Sequence, residues 1–142
     1  LEYLDTLHEN SPLIPELNKF ECKTAIHLAN GVIESTLLRT MELRRPECRQ
    51  SKTFVNHLEA RVMRGIDTME KEREITIGDW LNGEEITTAV ALSYVDFRFS
   101  TEWRKTAPTL ETWFERVSCR KSMELTAPTR ERPITTIDKI QG

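Results

Sequence analysis

A chain of 142 residues and 16.5 kDa has room for one compact domain and too little for a second complete one. Hydrophobic residues at 38% against 30% charged exclude a disordered chain, and 20 Lys plus Arg against 23 Asp plus Glu, a net charge of −3, argue against nucleic acid as a partner. No apolar run approaches the roughly 18–20 residues of a membrane span, so no membrane partner is expected. Three widely spaced cysteines, Cys22, Cys48 and Cys119, fit a reducing, cytoplasmic location better than a disulfide framework.

Leu1, Leu4 and His8, or Tyr3 and Leu7, fall at helical spacing with no initiator Met, N-cap or leader before them, so the sequence reads as starting inside a helix and as a piece of a longer protein. Residues 9–16, with Asn10, Ser11, Pro12 and Pro15, cannot continue that helix and read as a linker. From Leu17 to Arg45 the residues Ala25, Leu28, Ala29, Val32, Ile33, Leu37 and Met41 follow an amphipathic helical pattern that Pro46 ends. Val55, Leu58, Val62, Ile66 and Met69 repeat it between Ser51 and Lys71, which predicts a long antiparallel hairpin.

Glu74 to Leu81 alternates like a strand, but nothing else in the chain could pair with it, so it reads as an extended connector. Asn82 and Glu85 then form a capping-box pattern, with Leu81 and Ile86 placed as a staple. Apolar residues on almost every side of Glu84 to Phe99 predict a central buried helix. Leu110, Trp113, Phe114 and Val117 mark a further helix, Lys121 to Leu125 reads as a short turn, and an irregular tail begins at Ala127. The expected fold class is therefore an all-α helical bundle.

Catalytic chemistry is not visible in these residues. Cys22 and His27 are five apart on a helix and face different ways, and without C-x-x-C or H-x-x-x-H spacing no metal site is expected. Cys48 stands in a basic turn with Arg44, Arg45 and Arg49, a setting that fits a solvent-facing thiol better than a nucleophile. Asp96 and Arg98 interrupt an apolar helix, where ionisable groups need partners. Trp80, Trp103 and Trp113 fit core packing better than a ligand box.

The succession of motifs nevertheless resembles a known family. Leu1 to Pro15, the cap at Gly78 to Ile86, Tyr94-Val95-Asp96-Phe97-Arg98-Phe99, Trp103-Arg104, Pro108-Thr109-Leu110, Trp113, Arg116-Val117 and Arg120-Lys121-Ser122 are similar, in order and spacing, to the helical C-terminal domain of bacterial-type cytosolic glutathione S-transferases. The family usually has Ser or Thr at the cap and Asp three later; here Asn82 and Glu85 take those places.

The resemblance implies three parts: residues 1–16 as the last helix of a truncated thioredoxin-like domain plus linker, residues 17–126 as the helical domain, and residues 127–142 as an irregular tail. It implies a homodimeric parent enzyme of detoxification that conjugates glutathione, a co-substrate rather than a cofactor, to hydrophobic electrophiles. No catalytic residue is then expected in this chain, because the thiolate-stabilising residue and most glutathione contacts lie in the thioredoxin-like domain. Leu37, Leu38, Met41 and Arg45 would wall the electrophile pocket, with plain core packing as the alternative reading. Asn30, just before Gly31, aligns with an acidic residue that reaches across the dimer to the ammonium of glutathione in several classes, and Glu34 one turn later could supply the missing charge. The alternative is that both are merely polar surface residues. Similar domains also serve as non-catalytic protein–protein interaction modules, which is the competing functional reading.

Overall fold

A computed structural model describes residues 2–7, 12–72 and 80–128. Among them the order is α1 (Glu2–Asp5), α2 (Lys19–Leu43), α3 (Lys52–Glu72), α4 (Gly83–Arg98), α5 (Pro108–Ser118) and α6 (Lys121–Thr126), with 3-10 turns at Glu16–Asn18, Glu47–Arg49 and Glu102–Lys105. No strand occurs among the described residues, and the all-α expectation holds. The extended connector lies largely outside them, since residues 73–79 are not described.

Helix α2 occupies the middle of the bundle, packing on α3 and on α4. Its inner face is set by Cys22, Ile26, Ala29, Val32 and Thr36, all buried and spaced by three or four residues. It starts two residues later than the periodicity suggests, because Glu16–Asn18 winds as a 3-10 turn that leaves Leu17 fully exposed. The hairpin corner after Pro46 is held by polar contacts. Gln50 Nε2 donates to the carbonyls of Leu43 and Arg45, while the Ser51 amide donates to Glu42 Oε1 at 2.7 Å.

Helix α4 carries the centre of the core. Ala89, Ala91, Leu92 and Val95 have no accessible surface and pack with Val62, Ile66, Trp103, Leu110 and Trp113. Removal of this much apolar surface from water is the main stabilisation the fold has available. The burial is less uniform than the sequence suggests, for Val90 is 45% exposed. The capping box forms as read: the Glu85 amide donates to Asn82 Oδ1 and the Asn82 amide to Glu85 Oε2, both at 2.9 Å. Leu81 and Ile86 both join the core.

Two sequence readings need correction. Residues 121–126 form a short helix rather than a turn, begun by amide bonds from Met123 and Glu124 to the Arg120 carbonyl. Trp80 does not pack like Trp103 and Trp113: it is 55% exposed, whereas its neighbour Leu81 turns inward.

Asp96 and Arg98 do not pair with each other. They are two residues apart on a helix and so diverge. Asp96 instead accepts a bidentate fork from Arg104, at 2.7 and 2.6 Å, and the Trp103 indole N–H at 2.8 Å. Hydrogen bonding to Asp96 raises the Arg104 guanidinium's proton affinity further and outweighs its partial burial. Arg98 lies over the Phe97 ring.

Candidate functional site

The outer face of α2 is the mirror of its inner one. Asn30, Glu34, Leu37 and Met41 recur every three or four residues, so they form one stripe; Leu38 runs beside it, and Arg45 follows in the turn after α2. All six are exposed. From Asn30 to Met41 the stripe runs about 16 Å along the helix axis.

The stripe divides by chemistry. At one end, the side chains of Asn30 and Glu34 have no hydrogen bond or ion pair among the described residues. An amide and a carboxylate one turn apart can both accept hydrogen bonds, and the carboxylate adds the charge that suits an ammonium donor. In the middle stand Leu37 at 43%, Leu38 at 37% and Met41 at 55% exposure. These three lie outside the core clusters of the described residues, and the chain by itself leaves a strip of large apolar side chains to solvent.

Arg45 at the far end is half exposed and tied to Glu42, with Nη1 at 3.2 and 2.9 Å from the two carboxylate oxygens. The hydrogen bonds from the Ser51 amide and from Arg45 hold the Glu42 carboxyl below the usual range. That anchor fixes where the guanidinium sits, close to the start of α3.

Behind the stripe, Arg39 stiffens the hairpin. Its Nε donates to Glu59 at 2.6 Å and its guanidinium lies 4.3 Å from the centre of the Phe99 ring, so α2, α3 and the end of α4 meet at one side chain. Reading the sequence does not find this, because Arg39 and Glu59 are twenty residues apart and each looks like ordinary surface charge. The same holds for Arg61 and Arg64, which the hairpin brings opposite His27.

The cysteines behave as read. Cys48 and Cys119 are exposed, and Cys22 is buried while His27 faces out. Burial pushes the Cys22 thiol up, which makes it a poor nucleophile. Among the described residues no three His, Cys, Asp or Glu side chains converge as metal ligands would.

No family model and no curated protein matches the chain. Solved structures do. It is 30% identical, with a TM-score of 0.84, to a glutathione transferase family member from Pseudomonas fluorescens Pf-5 with bound S-(propanoic acid)-glutathione, over 90% of this chain and 68% of that one. A structure of a family member from the same organism with bound glutathione gives the same identity and TM-score, over 90% of this chain and 64% of that one. A glutathione S-transferase from Methylobacillus flagellatus KT with glutathione bound is 27% identical, with a TM-score of 0.79, over 90% of this chain and 66% of that one.

Proposed function

Because this chain belongs to the glutathione transferase family, we propose that it is the helical part of an enzyme that joins glutathione to hydrophobic electrophiles. In that reaction the glutathione thiolate attacks an electrophilic carbon, a carbon–sulfur bond forms, and the leaving group departs with its electron pair. The chain spans about two thirds of the structures it resembles. On this reading residues 1–16 close a thioredoxin-like domain and its linker, residues 17–126 are the helical domain, and residues 127–142 are a tail whose last fourteen positions lie outside the described residues. Stabilising the thiolate falls to residues outside this chain, and glutathione acts as co-substrate with no further cofactor.

The observation that carries the reading is the divided stripe on α2. Leu37, Leu38 and Met41 offer an apolar wall to the electrophile, and Arg45, held by Glu42, closes its end. Asn30 and Glu34 offer acceptors to the ammonium of a glutathione held by the second subunit of a homodimer. Loss of charge assistance roughly halves such a contact, so Glu34 matters more than Asn30.

Calorimetric titration of the parent protein with glutathione tests this. Glu34→Gln should weaken binding more than Asn30→Ala, and affinities untouched by either change would remove the cross-subunit role. The 142-residue chain alone should not accelerate conjugation of an aryl halide, since its stripe binds but does not activate sulfur. A parent protein that binds no glutathione at all would favour a non-catalytic interaction module in a cytoplasmic assembly.

A further inference from the structure

Arg45 is held in place at both its backbone and its side chain. Its amide donates to the Glu42 carbonyl at 3.1 Å, its carbonyl accepts from Gln50 Nε2 at 2.8 Å, and its Nη1 meets both oxygens of the Glu42 carboxylate. Glu42 is itself buried and accepts the Ser51 amide on Oε1, so the anchor is tied to the start of α3 as well as to α2. Holding a long surface side chain in one geometry costs rotamer entropy, and an exposed ion pair returns little for it. The neighbours Arg44, Arg49 and Lys52 show the ordinary case: their side chains have no hydrogen bond or ion pair among the described residues.

What Glu42 leaves unused decides what Arg45 can do. Both carboxylate oxygens engage Nη1 alone, and Arg45 Nε and Nη2 have no partner among the described residues. Nε and Nη2 share one edge of the guanidinium plane, and their two parallel N–H groups match the oxygen spacing of a carboxylate. The other well-held arginines keep no such edge. Arg104 commits Nη1 and Nη2 to Asp96 and sets Nε 3.7 Å from Glu111, while Arg39 gives Nε to Glu59 and Nη1 to the Arg98 carbonyl. The half-exposed Arg45 side chain stands four residues beyond Met41, where the apolar strip of Leu37, Leu38 and Met41 ends. Between Glu42 and Lys52 the chain places four basic residues against two acidic ones, although its net charge is −3, so the corner favours an anion.

We propose that the electrophile accepted here is amphipathic, an apolar body that ends in a carboxylate, and that Arg45 selects it. The body lies along Leu37, Leu38 and Met41, the carboxylate docks on Nε and Nη2 of Arg45, and Glu42 is the positioning residue that holds the guanidinium for it. The inference deepens the transferase reading above and rests on it. The carboxylate is bound and not changed, while the glutathione thiolate forms its bond to an electrophilic carbon elsewhere in the molecule and the leaving group departs with its electron pair.

Steady-state conjugation by the parent protein decides the matter, with a para-chlorodinitrobenzoate and the neutral para-chlorodinitrobenzamide of the same ring pattern as matched probes, each rate divided by the uncatalysed rate with glutathione. In both, the thiolate bonds to the ring carbon that carries chlorine, and chloride leaves with the electron pair. The parent should prefer the benzoate in kcat/KM by about tenfold or more, and Arg45→Gln should erase that preference through KM for the benzoate. Arg45→Lys keeps the charge without the fork and should keep only part of the preference. Each ratio is measured within one protein, so a variant that folds less completely lowers both rates and leaves the ratio alone. A purely structural Arg45 would leave the ratio unchanged in Arg45→Gln. That result would overturn the proposal, as would a parent that converts the benzamide without preferring the benzoate, and in both cases the transferase reading stands. A parent that converts neither probe removes the transferase reading and this inference with it. If Arg45→Gln raises KM for glutathione equally with both probes and leaves the preference intact, the guanidinium serves glutathione's own carboxylates and the proposal fails.

Discussion

Helices α4 and α5 start in the same core but satisfy their first amides in opposite ways. Helix α4 is capped from within four residues of sequence, by the reciprocal bonds of Asn82 and Glu85. Helix α5 starts after Ala107 with no side-chain cap of its own, and Pro108 removes one donor from its first turn. The carboxylate of Glu70, on α3, accepts from the amides of Thr109 and Leu110 at 3.0 and 2.7 Å. The first cap forms as soon as its own turn forms, whereas the second exists only when α3 and α5 are docked. A helix start can therefore be a local device or a tertiary contact, and only the first is written in neighbouring residues.

That contrast can be broken by mutation. The largest effect is expected for Glu70→Ala, which strands two amides in a partly buried place and should cost about 2 kcal/mol of global stability by urea denaturation. Asn82→Ala should cost about 1 kcal/mol, since it removes a single acceptor. An unchanged midpoint would show that the α4 cap is idle. Glu85→Ala, which opens only the reciprocal half of the box, should cost roughly 0.5 kcal/mol.

Acidity separates the two starts more finely. Burial works to raise the Glu70 carboxyl, but the hydrogen bonds from Thr109 and Leu110 outweigh it and hold the group below its ordinary value of 4.5. A depressed carboxyl contributes stability above its unfolded value and loses it as pH falls through the folded one. The gap in stability between the parent chain and Glu70→Gln should therefore be widest near neutral pH and narrow toward pH 3. A gap that stayed constant down to that pH would exclude the charged cap.

The same contrast explains what could be read in advance. The hairpin of α2 and α3, its end at Pro46, the box at Asn82 and the buried stripe of α5 depend on spacing along one segment, and all were legible. Asp96 was legible as a residue in need of a partner. Its partner Arg104 lies eight residues on, past the end of α4, where helical periodicity gives no guidance. Trp80 misled because its type suggests burial while its position beside Leu81 decides which of the two turns inward. On α2, the periodicity of Leu37 and Met41 was correct but could not say whether an apolar side chain meets its own core or the outside. The caps from Glu42 and Glu70, and the meeting of Arg39 with Glu59 and Phe99, depend on chain pairing and leave no local trace.

One contact ties the segment before α2 to the central helix. The amide of Gly83, the first residue of α4, donates to the Leu13 carbonyl at 2.7 Å, while the amides of Leu13 and Ile14 donate to the Asp5 carboxylate. First-turn amides ordinarily face water and trade their protons freely with it. The Gly83 amide should instead exchange with deuterium as slowly as the interior of α4. Its exchange rate then clocks how often Leu13 lifts away from the start of α4, a motion that no change in helix content would register.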